Sequence, residues 1–285
     1  MNTVELNKRF LVAKYIVARG YETARTMQRA AKRHAKKSLD KAAVSSIVTD
    51  ADLAIEALMR QEIRKHFPHD HIIGEEEGAA ALDTQYPSWA LDPIDGTKNY
   101  ANGLPLWAVS AAVLEHGVPV VGAVSARDHC YTARRDIDAV WRDDAPFVRQ
   151  LAPATPPNLA IERFDKVFNR DEIETALRET GVRLLENLGS CIGECMRILE
   201  GTLDGYINPC PAIWDWAAVA ILFEKAGIAI TRWDGTAPFP SIWHTIESDV
   251  AAYLENPTRF DMFAAPPSLH ETFLPVVKRC HLLPR

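Results

Sequence analysis

The chain has 285 residues, a net charge of −6 at pH 7, and 47% hydrophobic and 25% charged residues. This length and composition are those of an ordinary globular protein of one or two domains with a sizeable core. The acidic balance argues against a protein whose main partner is a nucleic-acid backbone. The first ten residues include charged side chains and no apolar run, so we expect no signal peptide. No stretch approaches the roughly 18 apolar residues of a membrane span, so we expect no membrane association and a cytoplasmic location. Five scattered cysteines predict reduced thiols rather than a disulfide framework.

Two helices are predicted before the first strand. Apolar residues recur at helical spacing over residues 4–37, and the end of this segment is basic from Arg25 to Lys37. A basic helix end is usually a solvated face, and the alternative is a positive collar that attracts phosphate esters. Thr49 and Asp50 precede a second amphipathic run, which predicts that the second helix begins there.

Short apolar runs then predict a sheet. A strand at 72–73 leads into an acidic segment, and a strand at 89–91 ends at Asp92. The apolar runs 107–115 and 118–125 are separated by a His-Gly pair, which predicts a hairpin, and a third strand of that sheet is predicted near 131–133.

A segment rich in Pro and Asp, residues 143–158, is predicted to be a surface connection. We therefore divide the chain into an N-terminal α+β part, residues 1–145, and a C-terminal α/β part, residues 146–285, which together form one unit. In the second part helices and strands alternate, which predicts mixed sheets covered by helices. The predicted helices lie near 171–180, 191–200 and 215–226, and the predicted strands near 183–187, 203–207 and 228–232.

The segment from Asp92 to Thr97 places two carboxylates three residues apart after an apolar strand. Because Pro93 lacks an N–H and resists both helix and central strand, we expect the chain to turn there. A turn would bring Asp92, Asp95 and the Ile94 carbonyl together. Three converging oxygen atoms suit a hard cation such as magnesium.

The two residues that follow point to an anion. Gly96 permits unusual backbone angles and the close approach of a ligand. The amides of Gly96 and Thr97 would hold a phosphate if a helix begins there. An Asp-Pro-x-Asp-Gly sequence is also a common composition for a plain surface turn, so this segment alone leaves both interpretations open.

Two further acidic segments favour the metal site. Three adjacent glutamates within Gly74–Gly78 repel one another unless they are solvated or share a cation. Asp215 stands at the head of an apolar helix, where an Asp is ordinarily a cap. Its neighbours Trp214 and Trp216 place this carboxylate near a large apolar body, which is unusual for a cap.

In this order the segments resemble the inositol monophosphatase family, a group of magnesium-dependent, lithium-sensitive phosphatases. The resemblance runs from about residue 40 to residue 232. The matched motifs are Val48-Thr49-Asp50-Ala51-Asp52, Gly74-Glu75-Glu76, Asp92-Pro-Ile-Asp-Gly-Thr97 with Tyr100, and Trp214-Asp-Trp-Ala-Ala218 with Glu224-Lys-Ala-Gly227.

The resemblance implies a Mg²⁺-dependent phosphoric monoester hydrolase that acts on a small phosphorylated metabolite. It implies an α/β fold of the α+β type, a layered α/β/α/β/α sandwich that is usually dimeric. It also implies two or three Mg²⁺ ions, with Mn²⁺ as a substitute, which would activate a water molecule for in-line attack.

Site residues carry over from the family by position. Glu75, Asp92 and the Ile94 carbonyl would bind one metal ion, Asp92, Asp95 and Asp215 a second, and Glu76 a third through water. The resemblance also implies a catalytic set and a phosphate site. These comprise Glu75, Asp52 and Thr97, with Asp52 hydrogen-bonded to the Thr97 hydroxyl that helps orient the attacking water, and the amides of Gly96 and Thr97.

The sequence departs from the family pattern at three places. Ser46 stands where the family usually has an Asp, and the glycine-rich hairpin is missing around residues 138–144. Asn208 stands where inositol phosphatases of the family place a substrate-binding Glu. A neutral amide at Asn208 would still hydrogen-bond substrate hydroxyl groups but changes the charge match. Ser190 aligns with the family's sugar-contacting loop, so the resemblance implies that it also contacts a substrate hydroxyl group.

Three functions remain open at this point. The first is a phosphatase for a sugar, cyclitol or amino-alcohol phosphate. The second is a phosphatase of the same family for histidinol phosphate or a nucleotide 3′-phosphate. The third, from another class, is a catalytically weak, phosphate-binding regulatory protein.

Overall fold

Two long helices, α1 (Thr3–Ala35) and α2 (Lys41–His66), form the first layer of the computed structural model. The structure describes residues 1–35, 41–79, 86–149, 152–162, 170–209, 211–240, 244, 248 and 261–281, without the side chains of 30–35, 41–49, 170, 280 and 281. The first predicted helix is confirmed within these limits. The predicted start of the second at Thr49 is wrong, because residues 41–48 hold no Gly or Pro that would keep them out of the helix.

The second layer is a seven-stranded sheet whose strands follow one another in chain order. Its first pair is parallel and every later pair is antiparallel. The strands are β1 (His71–Gly74), β2 (Ser88–Asp95), β3 (Ala108–Glu115), β4 (Val118–Ala126), β5 (His129–Arg134), β6 (Val140–Arg142) and β7 (Ala145–Phe147). The strands and the hairpin predicted between residues 72 and 133 are thereby confirmed.

Three tight hairpins of this sheet use residues with positive φ. His116 and Gly117 (φ 50° and 73°) connect β3 to β4, Arg127 and Asp128 (φ 51° and 67°) connect β4 to β5, and Asp143 and Asp144 (φ 49° and 68°) connect β6 to β7. A hairpin without glycine therefore stands where the family's glycine-rich hairpin is missing, and β7 lies within the predicted connection 143–158. Asp tolerates the left-handed conformation better than most residues, which lets a short hairpin form without glycine.

The second sheet has the strand order β11-β12-β10-β8-β9. Its strands are β8 (Asn158–Ile161), β9 (Arg183–Leu185), β10 (Gly205–Asn208), β11 (Ala229–Thr231) and β12 (Met262–Ala265). The helices of this half are α4 (Arg170–Arg178), α5 (Cys191–Glu200), α6 (Ile213–Ala226) and α7 (Pro267–His281), and a short α3 (Thr97–Ala101) follows β2. The predicted alternation is confirmed, and β8, β12 and α7 were not predicted.

Helix α6 lies between the two sheets. It contacts β2 to β5 of the first sheet and β11 of the second. Nine of its side chains are buried, as expected for a helix that is covered on all sides. Gly122 of β4 allows this contact, since a Cβ there would lie 2.4 Å from the Ala218 carbonyl oxygen.

Five layers result from this packing. Helices α1 and α2 cover one face of the first sheet, α5 and α6 fill the space between the sheets, and α4 and α7 cover the outer face of the second. The predicted α/β/α/β/α sandwich is confirmed. The chain passes from one sheet to the other between Phe147 and Asn158.

Two further features concern membrane helices and cysteines. In the part of the chain that is described, no helix is long and apolar enough to cross a membrane. Cys130, Cys191 and Cys195 are free thiols, the latter two buried in the core.

Candidate active site

A β-bulge at the end of β2 brings Asp92 and Asp95 together. Asp92 pairs with Ser110 and Asp95 with Ala108, so three steps along β2 stand against two along β3. In a regular strand, residues three apart point to opposite faces, and the extra residue re-aims one of them. The predicted turn at Pro93 is wrong, because the strand continues to Asp95. The missing N–H of Pro93 is tolerated at a bulge.

Three carboxylates converge beside this bulge. Asp92, Asp95 and Asp215 each offer one oxygen, and these oxygens lie within 4.8 Å of one another. The Asp92 side chain is buried, and its Oδ1 has no hydrogen-bond partner among the described residues. Burial raises the pKa of Asp92 well above its usual value, and the charges of Glu75, Asp95 and Asp215 add to the shift. A buried carboxylate oxygen without a donor is costly unless a cation compensates it, so this donor set fits a hard metal ion.

Asp95 is held by the N-terminus of α5. Its Oδ1 accepts the Cys191 amide (3.0 Å), and its Oδ2 accepts the amides of Ile192 (2.9 Å) and Gly193 (3.3 Å). The Ser190 hydroxyl also donates to Oδ2. Burial raises the pKa of Asp95 to about 6, although these donors and the helix N-terminus favour the charged form. The carboxylate thus has one fixed orientation.

Asp215 lies in the first turn of α6. Its Oδ2 accepts the Ala212 amide at 2.6 Å, so this carboxylate holds the start of the helix. Ser110, the residue opposite Asp92, donates to the Trp214 carbonyl at 3.2 Å and ties the helix start to β3. Trp214 is buried, so the carboxylate does stand beside a large apolar body, as expected.

The acidic turn Gly74–Gly78 follows β1 and supplies Glu75 and Glu76. Glu75 hydrogen-bonds Asp92, which adds it to the three aspartates. The burial of its carboxyl group raises the pKa of Glu75 to about 8, and the charges of Glu76 and Asp95 contribute. The backbone amide of Glu76 is held by Glu56 of α2, a buried residue that the sequence analysis missed. The one available signal was its spacing of four residues from Asp52 on the helix.

Thr97 begins α3, so a helix start does follow Gly96. The Thr97 hydroxyl donates to the Ile94 carbonyl at 3.0 Å, and among the described residues it makes no hydrogen bond to Asp52. Asp52 is nevertheless buried near the cluster, and burial, followed by the charges of Glu76 and Glu56, raises the pKa of Asp52 to about 7. Its role as a catalytic residue stays a prediction.

Ser190 and Asn208, the two expected substrate contacts, are buried and hydrogen-bonded to other protein groups. Ser190 is 3% exposed, and its hydroxyl accepts the Gly193 amide while donating to Asp95. Asn208 is also 3% exposed, and its amide group donates to the Tyr206 hydroxyl (3.2 Å) and the Cys191 sulfur (3.4 Å). Direct contact with a substrate stays a prediction for both side chains. Ser190 supports Asp95, a role that sequence spacing did not indicate.

The basic end of α1 lies next to this region. Arg25 and Arg29 line a cavity of about 690 Å³, whose wall also includes Ser190. Arg25 pairs with Asp128 at 2.9 Å. The basic residues beyond position 29 lie outside the described side chains, so the positive collar stays a prediction.

Comparison with known proteins places this site in a family. The model of the inositol monophosphatase family matches residues 8–279. A histidinol-phosphatase of Mycobacterium tuberculosis is 34% identical over 198 residues, which cover 67% of this chain and 75% of that protein. A histidinol-phosphatase of Streptomyces coelicolor is 32% identical over 202 residues, which cover 66% and 74% of the two chains. The fold matches that of an inositol monophosphatase from Anabaena with a TM-score of 0.73 at 23% identity, over 97% of each chain.

These matches, together with the converging carboxylates, show that the chain belongs to the inositol monophosphatase family of phosphoric monoester hydrolases.

Proposed function

We propose that the protein is a Mg²⁺-dependent phosphatase that binds two or three ions through the carboxylate cluster, with Mn²⁺ as a substitute. The observation that carries the proposal is the convergence of the Asp92, Asp95 and Asp215 carboxylates, where the buried Oδ1 of Asp92 has no hydrogen-bond partner among the described residues. The proposed ligands are Glu75, Asp92, Asp95, Asp215, the Ile94 carbonyl and, through water, Glu76.

The remaining chemistry falls to residues around the cluster. Bound magnesium supplies an activated water molecule and neutralises charge on the leaving oxygen. Thr97 lies next to the Ile94 carbonyl, where its hydroxyl orients the attacking water, and Asp52 stays the predicted partner of that group. The amides of Gly96 and Thr97 bind the phosphate at the start of α3. Glu75, on the acidic turn next to Asp92, helps to activate the attacking water.

We further propose that the substrate carries a positive charge, as an amino-alcohol phosphate such as histidinol phosphate does. Strands β8 and β10 are parallel neighbours, so Glu162, which directly follows β8, lies beside Asn208, the last residue of β10. Ligands of α/β sheets bind at such carboxyl ends of strands. The Glu162 carboxylate therefore lies one strand away from Asn208, where the family's substrate-binding Glu is absent.

Contacts connect this acidic group to the metal cluster. The Glu162 carboxylate accepts hydrogen bonds from Asn187 (2.8 Å) and the Tyr206 hydroxyl, and Asn208 bonds both Tyr206 and Cys191. The Cys191 amide in turn donates to Asp95. A cationic substrate with its phosphate at the cluster would find its counter-charge here. The names of two relatives, both histidinol-phosphatases, also support this substrate class.

Two finer statements belong to the same proposal. Family membership supports a homodimer, which light scattering of the purified protein tests. It also supports a cytoplasmic location, which cell fractionation tests.

The deciding experiment measures phosphate release, with and without Mg²⁺, from histidinol, inositol, sugar and nucleotide 3′-phosphates. We expect magnesium-dependent release, fastest with histidinol phosphate, and none from Asp95→Asn. Glu162→Gln should raise KM for histidinol phosphate about tenfold and leave KM for inositol phosphate unchanged, since only the substrate with a cationic group loses a charge partner. Equal effects on both substrates would reject the cationic class. Tight binding of metal and ester with no turnover would favour the regulatory protein instead.

A further inference from the structure

Side chains on one face of α2 contact the acidic turn Gly74–Gly78. Asp52, Glu56 and Arg60 follow one another at intervals of four residues, which places them on one side of the helix. The Glu56 side chain is fully buried. Its two oxygens accept the backbone amides of Glu76 (2.9 Å) and Glu77 (3.0 Å).

Arg60 closes this arrangement. Its Nε lies 2.8 Å from Glu56 Oε1 and 3.3 Å from Glu77 Oε2, and a second guanidinium nitrogen donates to the Gly78 carbonyl. The turn is also bridged by two backbone hydrogen bonds of 3.1 Å between Gly74 and Gly78. The middle of the turn and its end are therefore both tied to α2.

Gly74 makes the close approach of Glu56 possible. A Cβ at this position would lie 2.0 Å from Glu56 Oε1. The φ angle of Gly74 is not in the left-handed region, so glycine is needed here for space and not for conformation. The Glu56 carboxylate therefore occupies the space that a side chain at Gly74 would need.

The negative charge of Glu56 lies close to two other carboxyl groups. Its carboxylate raises the pKa of Asp52 and Glu76 next to it, after the larger effect of burial. Arg60, whose Nε lies 2.8 Å from Glu56 Oε1, compensates this charge, so the ion pair can be buried beneath the acidic turn.

We propose that Glu56, together with Arg60, is a positioning residue that fixes the acidic turn so that Glu75 and Glu76 are held in place to bind the metal. This inference rests on the proposed metal dependence. Glu75 reaches Asp92 from this turn, so a displacement of the turn removes a ligand from the cluster. Groups that orient metal ligands in this way typically contribute about 10–100-fold to metal affinity.

The test compares Glu56→Gln with Asp70→Asn in the full-length protein. Asp70 is a matched control, because it is buried, accepts two bonds from Arg9 (2.8 and 2.7 Å) and one from Trp89 (2.8 Å), and lies before β1 while the acidic turn follows it. Both variants should lower the melting temperature. Calorimetric titration with Mg²⁺ should show affinity about 10–100-fold weaker for Glu56→Gln and unchanged for Asp70→Asn. At saturating Mg²⁺, kcat of Glu56→Gln should recover to within about threefold of wild type.

Wild-type Mg²⁺ affinity in folded Glu56→Gln would overturn the inference and reduce Glu56 to a structural residue. Should Glu56→Gln fail to fold, Arg60→Lys decides, because it keeps the charge and loses the fork that holds Glu56, Glu77 and Gly78. Several-fold weaker Mg²⁺ binding by Arg60→Lys would support the inference, and unchanged binding would overturn it. If the wild-type protein itself binds no Mg²⁺, the proposed function fails first, which the titration of the wild type shows separately.

Discussion

The two acidic segments of the first sheet are held by different means. At the end of β2, a bulge aims Asp92 and Asp95 at one point, and three backbone amides of α5 hold Asp95. After β1, the acidic turn is held by the side chains of Glu56 and Arg60. One segment therefore depends on the main chain of its surroundings, and the other on two particular side chains.

This difference separates two kinds of sensitivity. Backbone amides are present whatever the residue, so the β2 segment should be sensitive mainly to loss of its own carboxylates. Side-chain support disappears with a single substitution, so the acidic turn should be sensitive to changes on α2 and at Gly74.

Asp92→Asn should give the largest effect. It removes a carboxylate from the cluster, and metal ions contribute several kcal/mol of charge stabilisation to such reactions, so we expect a loss in kcat of about 10³-fold or more. The metal-free protein should nevertheless be as stable as wild type or more stable, because Asp92 is buried beside Glu75, Asp95 and Asp215. Phosphate release and thermal unfolding in EDTA measure the two changes. A metal-free protein that is strongly destabilised would show that Asp92 has a structural role.

Gly74→Ala should be next. The new Cβ would meet Glu56 Oε1 at 2.0 Å, so the acidic turn must separate from α2, and we expect Mg²⁺ affinity to fall by about 10–100-fold. Gly181→Ala is the matched control, because its strain comes from a φ of 84° with nothing within 4 Å of the new Cβ. That control should lose only about 1 kcal/mol of stability. Equal losses of metal affinity in both variants would contradict the role of the contact with Glu56.

The same contrast explains which site residues could be predicted from sequence. Asp92 and Asp95 were found because their chemistry is local, within a few residues of one strand end. Asp215 was found because a carboxylate between two tryptophans is unusual at a helix start. The layered fold followed from four short motifs that resemble one family, and the hairpin around His116 from its turn composition.

Supports that act over long separations in the chain were not found. Glu56 contacts amides 20 and 21 residues later, and on a helix its spacing is that of any surface charge. Ser190 bonds a carboxylate 95 residues earlier, a contact that its neighbours in the sequence do not indicate. The resemblance assigned Ser190 to the substrate, and that role stays a prediction. The bulge in β2 was missed because a proline favours a turn locally, while pairing with β3 decides that the strand continues.

Ser190→Ala should have a moderate effect. It removes the cap of α5 and one donor to Asp95, so we expect about 1 kcal/mol less stability. Three backbone amides still hold Asp95, which should limit the loss in kcat/KM to about tenfold. A positioning role predicts the same factor for every substrate, which the panel of phosphate esters measures. A loss confined to one substrate would instead indicate direct contact with it.

The smallest effect concerns the pH dependence of metal-free stability. Burial, with the charges of Glu76 and Glu56, raises the pKa of Asp52 to about 7 in the folded protein, while an unfolded Asp titrates near pH 4. Between these values the folded state binds more protons than the unfolded state, so stability falls as pH rises. The stabilisation is fully present below about pH 4 and is lost as the pH passes about 7.

In EDTA, the free energy of unfolding should therefore decrease between pH 5 and pH 7, with Asp52 contributing at most about 1.4 kcal/mol per pH unit. Asp52→Asn should make this slope shallower, because the amide does not titrate. Denaturant titrations at several pH values measure the slopes of both proteins. Saturating Mg²⁺ should flatten the wild-type slope too, since a bound cation favours the charged carboxylates that the empty cluster disfavours. An unchanged slope in Asp52→Asn would mean that Asp52 is already ionised at low pH, and that the α2 face does not take part in the electrostatics of the acidic turn.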